Sequence, residues 1–316
     1  MSLLTNPLTI VVVVVGIILF LRKWKQGGKV SSELLSRNLS GKTVIVTGSN
    51  TGIGFETAQQ LAKQKATVIV ACRDERKGRD AVSRIKQSTG SNQVSFSKLD
   101  LGDLSSVKAF AKSVEKEDIN YLINNAGIMM CPHNTTKDGL EIQLGTNHIG
   151  HMYLTQLLID NLKKNKARIV NVSSLGHQFC NTFDFDNIQG PCKMHNPYYL
   201  YGRSKLANIL FTNELQRRYG ADGIVSYSLH PGNVATELAR HFTLYNISGY
   251  LSYFVLKTPW EGCQTTLFAC LCDATKIRPG AYLSDCAEKT PTENARNEKL
   301  GKQLWEVTEK ELSKFK

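Results

Sequence analysis

The chain alternates between two hydrophobic rhythms. Short apolar, β-branched runs occupy 43–47, 67–72, 94–98, 119–124, 167–173, 224–229 and 281–284. Between them lie longer stretches with helical spacing of apolar positions, at 53–64, 75–88, 104–115, 138–163 and 198–219. The first rhythm predicts buried strands and the second predicts helices. Strands that are apolar on both sides and separated by helices require a parallel sheet covered on both faces. The fold class is therefore α/β, a single doubly wound parallel sheet. Its crossovers are expected to be right-handed, with a ligand at the carboxyl ends of the strands. Thr258-Pro259-Trp260-Glu261 reads as a capping box with proline at the first helical position. Residues 293–316 read as a final charged amphipathic helix.

The N-terminus follows neither rhythm. Residues 3–21 carry no charge and include five consecutive valines, and Arg22, Lys23 and Lys25 follow with Trp24 among them. At 1.5 Å per residue this run nearly crosses a bilayer core of roughly 30 Å. A signal peptide carries its positive charge before the apolar run, whereas here it comes after. The reading is an uncleaved transmembrane helix, residues 1–22, with the rest of the chain facing the cytosol. The alternative is a cleaved signal sequence, which would expose Asn38-Leu39-Ser40 and Asn134-Thr135-Thr136 to glycosylation. Polar residues 23–40 read as a linker, and residues 41–316 as one catalytic domain, well within the size of a single α/β core.

Charge and cysteine content narrow the classes of partner. The net charge is +12 from 39 basic and 27 acidic residues, and the excess is dispersed. No basic run with interleaved aromatics occurs, which argues against nucleic acid. A cofactor phosphate and an anionic membrane surface suit the charge better. The eight cysteines show no Cys-x-x-Cys pair and no histidine partner set, so no metal site is expected. They read as small buried hydrophobes in a reducing compartment.

The chemistry centres on Thr47-Gly48-Ser49-Asn50-Thr51-Gly52-Ile53-Gly54. A strand precedes this loop and a helix follows it. Such a turn brings backbone close to a pyrophosphate and points helix N–H groups at it. Gly48, Ser49, Asn50, Thr51, Gly52, Ile53 and Gly54 are therefore candidate cofactor contacts. An NAD site usually ends its second strand on an acidic residue that holds the ribose 2′-hydroxyl. Here the strand ends Cys72-Arg73. A guanidinium can bind a 2′-phosphate with two hydrogen bonds, so Arg73 favours NADP(H). Alternatively, Arg73 pairs with Asp74 or caps the next helix. Asp100-Leu101 after the third strand can accept from an adenine amino group or cap the next segment. Asn124-Asn125-Ala126-Gly127 ends the fourth strand, and its small residues let a cofactor lie close.

Tyr201-Gly202-Arg203-Ser204-Lys205 places a phenol and an ammonium on one helix face. A nearby ammonium lowers a tyrosine pKa and makes it a usable proton carrier. The same spacing recurs at Tyr253…Lys257, which reads as packing or lid. Ile169-Val170-Asn171-Val172-Ser173-Ser174 ends a strand on two serines, and Ser174 is chosen to bond the substrate oxygen. Asn147, in the long helix after the fourth strand, is either a relay to Lys205 through water or a satisfied core amide. No Ser–His–Asp arrangement or glycine-flanked elbow is present.

These motifs, with Pro231-Gly232, resemble the short-chain dehydrogenase/reductase superfamily in order and approximate spacing over about residues 41–290. The loop Gly-Ser-Asn-Thr-Gly-Ile-Gly, Ala71-Cys72-Arg73-Asp74, Tyr201…Asn208 and His230-Pro231-Gly232 resemble the microsomal retinol dehydrogenase/retinal reductase group. The resemblance implies a Rossmann-type fold and an NADP(H)-linked enzyme of the endoplasmic reticulum membrane. Its substrate would be a small apolar carbonyl or alcohol, retinal, retinol or a related lipid aldehyde. It implies Tyr201 as proton donor/acceptor, Ser174 orienting the carbonyl, and Lys205 tuning Tyr201 and binding ribose. Asn147 would support the relay, and Thr236 would contact the nicotinamide end. The remaining cofactor contacts would be Asn124, Ala126, Gly127 and Pro231. Gly202-Arg203 departs from the pattern by placing a bulky cation beside the active helix. Phe179, Phe183, Phe185 and Tyr198, and the apolar stretch from Phe242 to Leu256, read as walls for a greasy ligand or as core and lid packing.

Overall fold

The computed structural model describes residues 9–13, 16, 26–186, 188–190, 196–239 and 256–315. Most of the expected anchor lies outside these residues, as do Tyr253 and the aromatic stretch 240–255. Among the described residues no helix is long and apolar enough to cross a membrane.

Among the described residues eight strands form one sheet: β1 Thr43–Thr47, β2 Thr67–Cys72, β3 Val94–Lys98, β4 Ile119–Asn124, β5 Arg168–Val172, β6 Val225–His230, β7 Tyr282–Ser284 and β8 Ala287–Lys289. Their order is β3-β2-β1-β4-β5-β6-β7-β8. All pairings are parallel except β7–β8, a three-residue antiparallel hairpin. The sequence does not announce β8, because its Ala-Glu-Lys is exposed throughout and carries no apolar alternation. Helices α1 Gly52–Lys63, α2 Glu75–Thr89 and α7 Pro259–Leu271 cover one face. Helices α3 Leu104–Ser113, α4 Gly150–Leu157, α6 Pro197–Tyr219 and α8 Glu298–Leu312 cover the other, with α5 Ile159–Lys164 following α4. Two separate apolar cores result, one around Leu61, Ile85 and Leu267 and one around Phe110, Leu154 and Trp305. The chain reverses direction across the sheet at β1, which pairs with β2 on one side and β4 on the other. Loops leaving the carboxyl ends of those two strands diverge and open a crevice.

Two expectations about elements need correction. The span 138–163 is not one helix. A single turn at Ile142–Leu144 passes into a π-helical turn at Gly145–Ile149, then α4, and Leu158 breaks α4 from α5. Two glycines bracket the π turn because the helix runs too close to its neighbours for a Cβ. At Gly145 a Cβ would lie 2.5 Å from Thr136 Cγ2, and at Gly150 it would lie 2.4 Å from the Leu101 carbonyl. π turns inside helices concentrate at functional sites. The described part of the expected linker, residues 26–40, is no free spacer. Val30 and Leu39 are buried in the α1/α2/α7 core. Val30 N–H donates to Gln264 Oε1 at 3.1 Å, and Arg37 donates to the Leu271 carbonyl at 2.7 Å. The capping box forms as expected: Glu261 N–H donates to Thr258 Oγ1 and Thr258 N–H to Glu261 Oε2.

Candidate active site

The crevice is a cavity of about 920 Å³ running across the carboxyl ends of the strands. Its floor is backbone. Gly48 and Gly52 adopt φ of 64° and 60°, a left-handed conformation that favours glycine. A Cβ on Gly48 would stand 2.8 Å from Ala126 Cα, and one on Gly54 would stand 2.4 Å from Asn125 Nδ2. The loop is thus clamped against the β4 end without room for side chains. Thr51 caps α1 by position but makes no side-chain cap bond, so its hydroxyl does not occupy the first-turn N–H groups, whose residues Gly52, Ile53 and Gly54 line the cavity. Thr47 Oγ1 accepts from both Asn125 N–H and Ala126 N–H at 2.9 Å and ties the two strand ends together.

At one end of the cavity lie Arg73, Asp74, Lys77, Asp100 and Leu101. Asp74 Oδ1 accepts from Lys77 N–H at 3.0 Å and caps α2, so its carboxylate is engaged in helix capping. Arg73 and Lys77 are exposed at this end. Asp100 accepts from Gly102 N–H at 3.0 Å and also lines the cavity, while Asp103 caps α3.

At the other end stand Ser174, Tyr201 and Lys205. Helix α6 starts on Asn196, whose Oδ1 accepts from Tyr199 N–H at 2.8 Å, with Pro197 next. That start places Tyr201 and Lys205 on the face turned to β5. Lys205 Nζ donates to the Val172 carbonyl at 3.1 Å and sits 5.6 Å from the centre of the Tyr201 ring. Ser173 donates to the Lys205 carbonyl at 2.7 Å and braces the helix, leaving Ser174 beside Tyr201. Glycine again permits the approach. A Cβ at Gly176 would lie 2.8 Å from Tyr201 Cε1, and one at Gly202 would lie 2.7 Å from the Gly176 carbonyl. The Gly202 departure therefore seats the turn Leu175–Phe179 directly on α6. Arg203 is wholly buried, pairs with Glu141 at 3.3 Å, and donates to the Asp184 carbonyl at 3.2 Å. It does not line the cavity.

The electrostatics differ from the sequence expectation. Burial pushes the Tyr201 phenol up to about 12, with the Ser174 hydroxyl pulling the other way. Burial draws Lys205 down to about 8. Desolvation of the enclosed phenol sets the direction of the Tyr201 shift, opposite to the acidification expected from Lys205. At neutral pH Tyr201 is a protonated donor.

Most of the expected residues converge on the cavity: Gly48, Asn50, Thr51, Gly52, Ile53, Gly54, Arg73, Asp100, Leu101, Ala126, Gly127, Ser174, Tyr201, Lys205, Pro231 and Thr236. Three do not line it. Ser49 turns inward and donates to the Val46 carbonyl at 2.7 Å. Asn124 is buried and donates to Asn171 Oδ1 at 2.8 Å, because the last residue of β4 faces the sheet interior. Asn147 sits in the π turn. Its Oδ1 accepts from Ile128 N–H, and its Nδ2 donates to the Ile128 carbonyl and to Ser204 Oγ. Asn125, Thr146 and Gly176 line the cavity without having been expected. Asn125 carries a signal in its place beside Ala126-Gly127, and Gly176 in its place after the serines. Of the aromatic candidates, Phe179 lines the cavity, Phe183 is core and Phe185 packs against it, and Tyr198 meets Phe179 edge-on at 6.3 Å.

Comparison with known proteins fits this geometry. The family model for short chain dehydrogenase matches residues 42–183. Human retinol dehydrogenase 11 is 45% identical over 291 residues, covering 91% of this chain and 90% of the relative. The chain belongs to the short-chain dehydrogenase family. Within that family its relatives are the retinol dehydrogenases. Bovine retinol dehydrogenase 12 is 42% identical, with 98% of this chain and 96% of the relative covered. A crystal structure of an uncharacterised Mycobacterium paratuberculosis protein superposes with a TM-score of 0.71 at 33% identity, over 88% of this chain and 95% of that one. A 3-oxoacyl-(acyl-carrier-protein) reductase from Agrobacterium tumefaciens, solved with NADP, shares the fold at a TM-score of 0.64 and 20% identity, over 79% and 95%. As a short-chain dehydrogenase, this protein is an oxidoreductase. The cavity suits a nicotinamide dinucleotide, with a side-chain-free phosphate floor at Gly48–Gly54 and the Ser174/Tyr201/Lys205 group at the far end.

Proposed function

We propose that this protein is an NADP(H)-dependent reductase of retinal and related lipid aldehydes. One observation carries the reading: the Ser174/Tyr201/Lys205 group shares a single cavity with Arg73 and Lys77 at its opposite end. Two cations at the ribose end, with the nearest carboxylate, Asp74, accepting from the α2 backbone, suit a 2′-phosphate. The NADP in the Agrobacterium reductase and the names of the retinol dehydrogenase relatives agree with this cofactor and substrate class. Gly48–Gly54 and the first turn of α1 would hold the pyrophosphate, Lys205 a ribose hydroxyl, and Thr236 the nicotinamide end. When bound, NADPH would supply the hydride to the carbonyl carbon. Ser174 would donate to the carbonyl oxygen and fix its direction. Tyr201 would then give that oxygen its proton. A phenol held protonated at neutral pH is in the form from which the proton is given in reduction, and a cytosolic cofactor pool kept reduced would set the net direction. Met129, Met130, Leu175, Phe179, Leu238 and Leu256 would exclude water from an apolar chain.

The apolar run 3–21 supports a single-pass membrane anchor with the catalytic domain in the cytosol, and the resemblance to microsomal retinol dehydrogenases is what points to the endoplasmic reticulum. A glycosidase-sensitive mobility shift of the natural protein would contradict that placement. The proposed activity is tested by turnover of the purified enzyme on retinal with NADPH and with NADH. The reading predicts reduction with NADPH at least about tenfold more efficient than with NADH. No turnover with either cofactor on retinal, medium-chain aldehydes or ketosteroids would overturn it. Preference for ketosteroids would move the substrate to the steroid class with the same machinery.

A further inference from the structure

The mechanism above uses no histidine, yet His151 sits buried at the crossing of the site's two halves. It is the second residue of α4, one helical turn after Asn147. Its Nδ1 lies 2.9 Å from the Asn147 carbonyl, and its Nε2 lies 2.8 Å from Thr47 Oγ1. A carbonyl only accepts, so Nδ1 carries the proton. Burial holds the imidazole well below its usual range, at about 4, with the Asn147 bond opposing and the Lys205 charge adding to the shift. The ring is therefore neutral, and Nε2 is an acceptor. Thr47 must donate to it, since the other acceptor near that hydroxyl, the Ile123 carbonyl, is at 3.4 Å.

The direction of every bond in this chain is thus fixed. Asn125 and Ala126 N–H groups donate to Thr47 Oγ1, Thr47 donates to His151, and His151 donates to the Asn147 carbonyl. On the same asparagine, Nδ2 donates to Ser204 Oγ at 2.9 Å, and Ser204 donates to the Tyr201 carbonyl at 2.8 Å. With its proton turned to His151, Thr47 keeps both lone pairs for the β4 strand end that forms the crevice floor. The π turn carrying Asn147 is held at the same time.

We propose that His151 is a positioning residue: its one-way hydrogen bonds couple the dinucleotide floor at Thr47 and Ala126 to the backbone of Tyr201. Its ring does not touch the cavity, and it transfers no proton in the reaction. Its role is to keep the phenol and the cofactor floor in one register, so its loss acts on kcat rather than on capture of the aldehyde. The inference rests on the proposed role of Tyr201.

Two amide variants separate its two bonds. In H151N the amide stands where Nδ1 was and reaches the Asn147 carbonyl, but it stops short of Thr47. In H151Q the amide stands where Nε2 was and accepts from Thr47, but it leaves Asn147. Each is expected to lower kcat for NADPH-dependent retinal reduction about tenfold, with KM for retinal unchanged within about twofold, as for a slightly misplaced reacting group. Thr47→Val is then added to each. It should lower kcat by a factor about five larger in H151Q than in H151N, because only H151Q retains the Thr47 bond. Equal factors in both backgrounds, or both single variants retaining wild-type kcat, would overturn the proposal. The wild-type protein gives a readout that needs no variant. Nitrogen-15 NMR of its histidines should show His151 as the Nδ1-protonated tautomer from pH 6 to 8. The Nε2-protonated tautomer would overturn the proposal whether or not the variants fold. Tyr201→Phe separates the two levels: if it retains turnover, the role of Tyr201 fails. If it is inactive while the His151 variants are not, only this inference fails.

Discussion

The two ends of the cavity are built from different materials. The dinucleotide end is backbone: Gly48 and Gly54 leave no room for a Cβ, Gly52 holds a left-handed φ of 60°, and nearby side chains such as Ser49 and Asn125 bond inward to hold the loop. The substrate end is side chain: Met129, Met130, Leu175, Phe179 and Leu256 form its walls, and Leu175 and Phe179 are about half exposed. A backbone site binds one shape and tolerates little. A side-chain wall binds a class of apolar shapes and can be trimmed. Tyr201 stands at the junction, and two glycines, Gly176 and Gly202, let the two ends close on it.

The sharpest way to break this contrast is to put a methyl group on each side of it. Gly48→Ala forces a Cβ to 2.8 Å from Ala126 Cα at a residue with φ of 64°. NADPH affinity measured by fluorescence titration should fall about a hundredfold, from backbone strain of roughly 1–3 kcal/mol and a displaced loop. Next in size is Arg73→Ala, which removes a guanidinium without touching the floor. Binding of NADPH should weaken about tenfold while that of NADH stays put, and equal losses for both would contradict a 2′-phosphate contact. The pH profile sharpens the junction. Lys205 is charged below its depressed value of about 8, and Tyr201 keeps its proton to about 12. Retinal reduction should therefore be level from pH 6 to 7.5 and decline above about 8 as Lys205 loses its charge. A decline centred near pH 6 would contradict that order. The smallest effect is at the wall: Phe179→Ala should raise KM for retinal about fivefold and leave KM for a short aldehyde unchanged, since the ring is only half buried.

The contrast also explains what the sequence made legible. A backbone-built site demands glycines at fixed places between a strand and a helix, so Gly48–Gly54 and Ala126-Gly127 could be read from the chain alone. The Tyr201…Lys205 spacing was legible for the same reason, as a helix repeat following a strand that ends on Ser174. Ser49 and Asn124 turn their side chains away from the cavity, which motif membership does not reveal. The wall was only partly legible. Phe179, Phe183 and Phe185 have the same chemistry, and only the seating of Leu175–Phe179 on Gly202 puts the first in the cavity and the second in the core. The π turn was hidden because apolar spacing at 138–163 fits an unbroken helix, and the close approaches of Gly145 to Thr136 and of Gly150 to Leu101 involve residues outside that span. The raised Tyr201 pKa was hidden because a lysine one turn away says nothing about how deeply both groups are buried.

The central claim is that Tyr201 delivers the proton while Ser174 holds the carbonyl oxygen. Single-turnover reduction of retinal by Tyr201→Phe, with NADPH affinity measured on the same preparation, tests it most directly. The account predicts a rate at least about a thousandfold below wild type with cofactor affinity nearly unchanged. A rate within tenfold of wild type in a variant that binds NADPH normally would contradict it.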